Sequence, residues 1–244
     1  MNRPEPRRFH MNRMLLSLLA FCFSCSGPAP APESPAAGGT STASATPSEA
    51  APILAPPTHD EPSEVYSPAD GEAFAFFAGG CFWCMEKPFE QLEGVREVVS
   101  GYTDGESPSP SYREVSSGST GHTEAIRVSY DPEVITYAEL LDVFWRNIDP
   151  TDQGGQFCDR GSQYRTGVFV QGAEERALAE ASKAAAQQTL GRNIVTEISA
   201  ATTFYDAEAY HQDFYRTHPV RYTSYRTGCG RDRRLEDLWG PAAH

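Results

Sequence analysis

Hydrophobic periodicity sets in at residue 73. Residues 73–78 form a continuous apolar run, Ala-Phe-Ala-Phe-Phe-Ala, which suits a strand buried on both faces. Over 82–92 the residues Phe82, Met85, Phe89 and Leu92 recur at helical spacing, and Gly94 ends that helix. Residues 95–102 and 122–130 read as two further strands, the second closed by Asp131-Pro132. Between them, 104–119 is a Gly/Ser/Pro-rich excursion, long enough to suggest a functional loop. Thr136 caps an amphipathic helix over 136–147 that turns Leu140, Leu141, Phe144 and Trp145 inward. A second polar loop over 149–165 leads to a strand over 166–170 and an Ala-rich helix over 173–190, closed by Gly191. A strand over 194–198 and a short helix over 206–216 follow. From Thr217 the periodicity fades, so an irregular tail is expected.

This order begins β-α-β-β-α-β, the split unit of ferredoxin-like folds, with a helix and a strand added. The expected fold is therefore α+β: a ferredoxin-like split β-α-β core, a mainly antiparallel sheet with packed helices, and an irregular C-terminal tail.

Composition changes the picture mainly upstream. Residues 26–67 are rich in Pro, Ala, Ser, Thr and Gly, contain no Lys or Arg, and hold few apolar residues beyond Ile53-Leu54. Such a segment cannot bury enough apolar surface to offset its ordering entropy, which predicts a disordered tether. Arg3, Arg7, Arg8 and Arg13 precede an apolar run over 14–23, the pattern of an export signal, too short for a spanning helix. Ser24-Cys25-Ser26 resembles the lipidation box of bacterial lipoproteins and makes Cys25 the candidate lipid-bearing residue; plain secretion is the alternative. The organisation expected is an export signal over 1–25, a tether over 26–67 and a catalytic domain over 68–244. The location expected is exported: periplasmic, or held at a membrane by lipid. A net charge of −13 argues against nucleic acid as a partner.

Four of the six cysteines, Cys81, Cys84, Cys158 and Cys229, fall in the domain. Gly79-Gly80 between strand and helix sets Cys81 in the first helical turn, where orphan N–H groups and the dipole favour a thiolate. The dipole supplies only about 0.3–1 kcal/mol, under one pKa unit, so other groups must help. The C-x-x-C spacing of Cys81 and Cys84 leaves three readings open. One is a structural disulfide or a pair of buried thiols. Another is a dithiol for general thiol–disulfide exchange, although Phe82-Trp83 fills the gap where thioredoxin-like motifs carry other residues. The third is a zinc-stabilised binding module using all four cysteines, weakened by the 71 positions between Cys158 and Cys229.

The remaining chemistry-bearing residues favour something more specific. Gly80-Cys81-Phe82-Trp83 with Glu86 resembles the active-site signature of A-type peptide-methionine sulfoxide reductases. The similarity continues through Gly101-Tyr102, Pro110-Ser111-Tyr112-Arg113-Glu114-Val115 and Gly118-x-x-Gly121-His122-Thr123-Glu124. It goes on through Tyr130-Asp131-Pro132, Phe144-Trp145, Asp149-Pro150 and Asp159-Arg160-Gly161-Ser162-Gln163-Tyr164-Arg165. Thr196-Glu197-Ile198, Phe204-Tyr205, Glu208 and His211-Gln212 complete it. Matches in this order span nearly the whole predicted domain.

The resemblance implies reduction of methionine-S-sulfoxide, free or in proteins, without a metal or bound organic cofactor. It implies Cys81 as nucleophile, passing through a sulfenic acid, and Glu124 as the acid, which burial would have to keep protonated. Tyr112 and Tyr164 would hydrogen-bond the sulfoxide oxygen, and Asp159 would orient the site. Phe82 and Trp83 would form a methyl pocket, with His211 in a substrate-binding role. The implied partner is thioredoxin or a thioredoxin-like reductant, and a monomer is expected. A second thiol must resolve the sulfenic acid. Cys229, between glycines in the tail, is the first candidate; Cys84, one helical turn from Cys81, and Cys158, beside Asp159, are the alternatives.

Overall fold

A computed structural model describes residues 68–241; the segments expected to be an export signal with Cys25 and a tether lie outside the described residues. In chain order the elements are β1 (Ala73–Gly79), α1 (Trp83–Glu90), β2 (Val95–Thr103), α2 (Tyr112–Ser116) and β3 (Thr123–Tyr130). Next come α3 (Tyr137–Arg146), a small hairpin of β4 (Gly155–Gln156) and β5 (Asp159–Arg160), β6 (Thr166–Val170) and α4 (Ala173–Leu190). The chain ends with β7 (Glu197–Ala200), β8 (Tyr205–Asp206), α5 (Phe214–Thr217), α6 (Pro219–Gly228) and α7 (Arg231–Trp239).

Six strands form one sheet in the order β7-β6-β1-β3-β2-β8. β1 lies antiparallel between β3 and β6, and β2 is antiparallel to β3, the pairing of the expected split β-α-β core. Only the β6–β7 pair is parallel. The apolar run of β1 is explained by this central place, because both of its faces are covered. Phe77 stacks on Phe89 of α1 and on Tyr137 and Phe144 of α3, with ring centroids 5.1–6.2 Å apart. Phe74, Phe76 and Ala78 point to the other face, where Phe169 and Phe204 close a second cluster.

Two expectations are corrected. The short helix expected over 206–216 is broken: a single 3₁₀ turn, Ala209–His211, precedes α5, and Asp213 between them has φ +51°. The break serves the sheet edge, because the Gln212 amide bonds both the N–H and the C=O of Ser100 at 2.9 Å. A continuous helix could not offer that side chain to β2 in this way. The tail beyond Thr217 is not irregular but forms α6 and α7. Pro219 starts α6 at a position where its missing N–H costs nothing. These helices bury little apolar surface, chiefly Tyr222 and Leu235, and α7 fills its inner face with an arginine, so the apolar period is faint. The polar excursion over 104–119 contains α2, opened by a Ser111/Glu114 capping box that the Ser-x-x-Glu spacing announces.

Because Leu235 is wholly buried, Leu235→Ala should lower unfolding stability by about 2–5 kcal/mol in urea titration. An unchanged midpoint would mean that the tail is not packed.

Candidate active site

β1 runs into a turn at Gly80, whose φ of +78° favours glycine and where a Cβ would stand 2.5 Å from the Gln156 side chain. The turn sets Cys81 immediately ahead of Phe82, the N-cap of α1, one position short of the helical turn expected from the sequence. Helix starts leave N–H groups unpaired. Here the Phe82 N–H donates to Glu124 Oε2 at 3.1 Å. Glu124 is the second residue of β3, in register with Tyr102 of β2, and is 2% exposed.

Burial pushes the Glu124 carboxyl up to about 8, against the Phe82 bond, and the charges of Asp159 and Cys84 push the same way. At neutral pH it therefore carries a proton it can give away. Tyr112 opens α2, and Tyr164 ends the 3₁₀ turn Ser162–Tyr164. Burial raises both phenols, that of Tyr112 to about 12, and the charges of Glu124 and Cys81 add to this. Both remain protonated hydroxyl donors at neutral pH. Asp159, at the start of β5, is raised by burial and held back by the Tyr225 hydroxyl, which donates to Oδ2. That same hydroxyl lies against the Cys81 thiol. The structure thus brings Cys81, Glu124, Tyr112, Tyr164 and Asp159 to one place from five separate segments.

The aromatic pair is held from behind. Trp83 stacks on Phe214, ring centroids 3.7 Å apart, and its Nε1 donates to His211 Nδ1 at 3.1 Å. His211 is buried against Phe82, Tyr112 and Tyr210, and burial lowers its pKa to about 4. It is a neutral imidazole with its proton on Nε2, and it braces the Trp83 ring.

The four cysteines fall into two pairs. Cys81 and Cys84 are free, buried, and hydrogen-bonded to each other. They share a proton unevenly: that bond, with the Arg231 and Arg226 charges, lowers Cys84 to about 6, while burial and then Cys84 itself push Cys81 up. Cys158 and Cys229 are joined in a disulfide with Cα atoms 4.8 Å apart. Two of the candidate resolving thiols are therefore bound to one another, and Cys84 is the free thiol beside Cys81.

Sequence reasoning gave no role to Tyr225 or Glu208. Glu208 accepts from the Tyr102 hydroxyl at 2.8 Å and from the Tyr112 N–H at 2.9 Å, which fixes the start of α2 to the sheet. Its only sequence signal is its place in the ordered series of matches. Tyr225 lies in a tail without visible periodicity and gives none. Glu86 is a second buried carboxyl, pushed up to about 8 by burial. It accepts from Ser100 Oγ at 2.8 Å and from Asp213 N–H at 3.3 Å, which ties α1 to β2 and to the turn before α5.

The sequence model of the family described as peptide methionine sulfoxide reductase matches residues 73–242. The peptide methionine sulfoxide reductase MsrA of Bacillus licheniformis is 49% identical over 178 residues, 70% of this chain and 96% of that protein. The corresponding protein of Listeria monocytogenes is 50% identical over 167 residues, 68% of this chain and 94% of that protein. Among solved structures, Mxr1 from Saccharomyces cerevisiae in reduced form aligns with a TM-score of 0.60 and 36% identity. It covers 64% of this chain and 90% of that one. Methionine sulfoxide reductase A of Corynebacterium diphtheriae aligns with a TM-score of 0.56 and 30% identity, over 67% of this chain and 79% of that one.

Difference infrared spectroscopy should show a protonated carboxyl band at pH 7 that is absent from Glu124→Gln. The band should fade on raising the pH, with a midpoint at about 8. A Glu124 carboxylate already ionised at pH 6 would contradict the site described above.

Proposed function

Because the chain belongs to the peptide methionine sulfoxide reductase family and reduces methionine sulfoxide with a thiol, we propose that Cys81 attacks the sulfoxide sulfur and Cys84 resolves the product. The observation that carries this reading is the neutral, buried Glu124 at the helix start that also presents Cys81. Transfer of the shared proton from Cys81 to Cys84 frees the attacking thiolate. As Cys81 sulfur bonds to the substrate sulfur, Glu124 gives its proton to the oxygen, and Tyr112 and Tyr164 stabilise the charge that builds there. Methionine leaves, and Cys81 holds the oxygen as a sulfenic acid. Phe82 and Trp83 receive the methyl group, favoured by shape and by sulfur–aromatic contact. The resemblance to the A-type enzymes supports the S epimer as the substrate.

Cys84 then attacks the Cys81 sulfur. The disulfide forms, and the hydroxyl leaves as water with the Cys84 proton. Cys84 displaces Cys229 from first place as the resolving thiol because the Cys229 sulfur is engaged with Cys158. A thioredoxin-like dithiol returns two electrons and the two protons to the pair. The enzyme acts outside the cytoplasm, carried by a lipid on Cys25; the basic-then-apolar N-terminus and the tether composition support this.

Glu124→Gln should lower kcat about 10²–10⁴-fold and abolish the alkaline limb of the rate profile, whose midpoint in the parent enzyme lies near 8. Cys81→Ser should be inactive on either epimer. Cys84→Ser should yield one methionine per enzyme and then stall with a thioredoxin-like reductant. Mass-spectrometric mapping of the oxidised parent that finds Cys81 bonded to Cys229 would reject Cys84 as the resolver. Cys25→Ser should move the protein from the membrane to the soluble fraction of cells that make it; unchanged partitioning would reject the anchor.

A further inference from the structure

The Cys158–Cys229 disulfide takes no part in the reaction outlined above, and its Cys158 half is exposed. It joins two segments that also meet at the site. Cys158 precedes Asp159 at the tip of the β4–β5 hairpin. Cys229 follows Tyr225 by one helical turn, its N–H donating to the Tyr225 carbonyl at 2.9 Å. The Tyr225 hydroxyl in turn donates to Asp159 Oδ2. The covalent bond and the hydrogen bond are therefore neighbouring rungs between the same two segments. Tyr225 also stands edge-on to Trp83, with ring centroids 5.8 Å apart.

The tip of that hairpin needs a hold. Its base is fixed from elsewhere: the Gln156 amide bonds both the N–H and the C=O of Asp149 at 2.8 Å, and Arg160 pairs with Asp152. The tip itself is the two-residue loop Phe157-Cys158, a place where positive φ usually calls for Gly, Asn or Asp. Phe157 holds a φ of +55° there. A bulky side chain keeps that backbone only where its surroundings impose it. The tail imposes it through the disulfide, through the Tyr225 hydroxyl on Asp159, and through the Arg231 guanidinium, 4.5 Å from the Phe157 ring centroid. The disulfide is the covalent member of this set, and it can be opened chemically.

We propose that the Cys158–Cys229 bond is a redox clamp on substrate binding, with Tyr225 as the positioning residue through which it acts on Asp159. Closed, it keeps the strained tip in place and Asp159 bonded to Tyr225 at the site. Opened, the tip relaxes, Asp159 leaves its position and the affinity for the sulfoxide falls. Opening is an exchange with a dithiol. One thiolate of the dithiol attacks the exposed Cys158 sulfur, and Cys229 leaves as a thiolate. The second thiol then closes the dithiol's own disulfide and releases Cys158, so two electrons and two protons end on the two cysteines. Oxidising surroundings keep the clamp closed, which suits the location outside the cytoplasm proposed above. The proposal rests on the reading of Asp159 as the group that orients the substrate.

The test is a single methionine-forming turnover without reductant, followed by quench-flow over a range of concentrations of a peptide methionine-S-sulfoxide. The parent is the full-length protein with Cys81 and Cys84 free and Cys158–Cys229 closed, as verified by fragment mass spectrometry. Replacing the pair, Cys158→Ser with Cys229→Ser, should raise the half-saturating concentration about threefold to tenfold, the worth of one hydrogen bond. The limiting rate should stay within about twofold of the parent, because binding and not the chemical step is affected. Tyr225→Phe should weaken binding in the same direction. Asp159→Asn should weaken it too, and in that background the serine pair should add little. A folded serine pair with the parent's half-saturation overturns the proposal. So does a loss confined to the limiting rate, or a serine-pair effect that persists in full beside Asp159→Asn. Should the serine pair not fold, the parent opened with dithiothreitol and then freed of it decides: weaker binding supports the clamp and unchanged binding overturns it. If Asp159→Asn itself binds like the parent, the reading of Asp159 falls and the clamp with it. If Asp159→Asn binds weakly and the serine pair does not, the clamp alone falls.

Discussion

Exclusion of water from one helix start is the constraint on which this site depends. The Phe82 N–H needs an acceptor, and the only acid brought to it by the β3 register is Glu124. In water such a carboxyl would be ionised at neutral pH. Burial beneath the aromatic pair and the two tyrosines makes the neutral form the stable one, which turns a hydrogen-bond acceptor into a proton donor. Everything else at the site preserves that exclusion. Phe214 and His211 hold Trp83 in place, Glu208 anchors the start of α2, and Glu86 with Gln212 closes the sheet edge beneath them.

Dry surroundings raise every anion in energy, and the site answers with a small set of matched charges. The two thiols divide one proton instead of ionising independently. Asp159 is calmed by the Tyr225 hydroxyl. Arg226 and Arg231 come from the C-terminal helices, which the Cys158–Cys229 bond ties to the loop that carries Asp159. The tail is therefore part of the electrostatic environment of the reacting sulfurs as well as a cover for them.

The elements with strong periodicity were legible: β1, α3 with its Thr136 cap, β3, β6 and α4 lie within a residue or two of their expected places. Their signals are local, because alternation and helical spacing record which side chains face a core. The tail was misread because α7 turns an arginine inward where the pattern expects an apolar residue. The helix over 206–216 was misread because Gln212 is required at a sheet edge more than 100 positions away. No window along the chain contains that demand.

The sequence by itself determined the kind of chemistry and the side-chain types that the fold brings together. Cys81 beside an aromatic pair, with Glu124, Tyr112, Tyr164 and Asp159 in an ordered series, specifies side-chain types, and type is a property of sequence. Which cysteine stands free beside Cys81 was decided only by tertiary structure. The resemblance favoured Cys229, between glycines in the tail, and one-turn spacing offered Cys84, while the fold pairs Cys229 with Cys158 and leaves Cys84 against Cys81. The protonation of Glu124 and the placing of Arg231 belong to the same class. Both depend on how much water and which distant charges surround a group, and only the packed chain sets those.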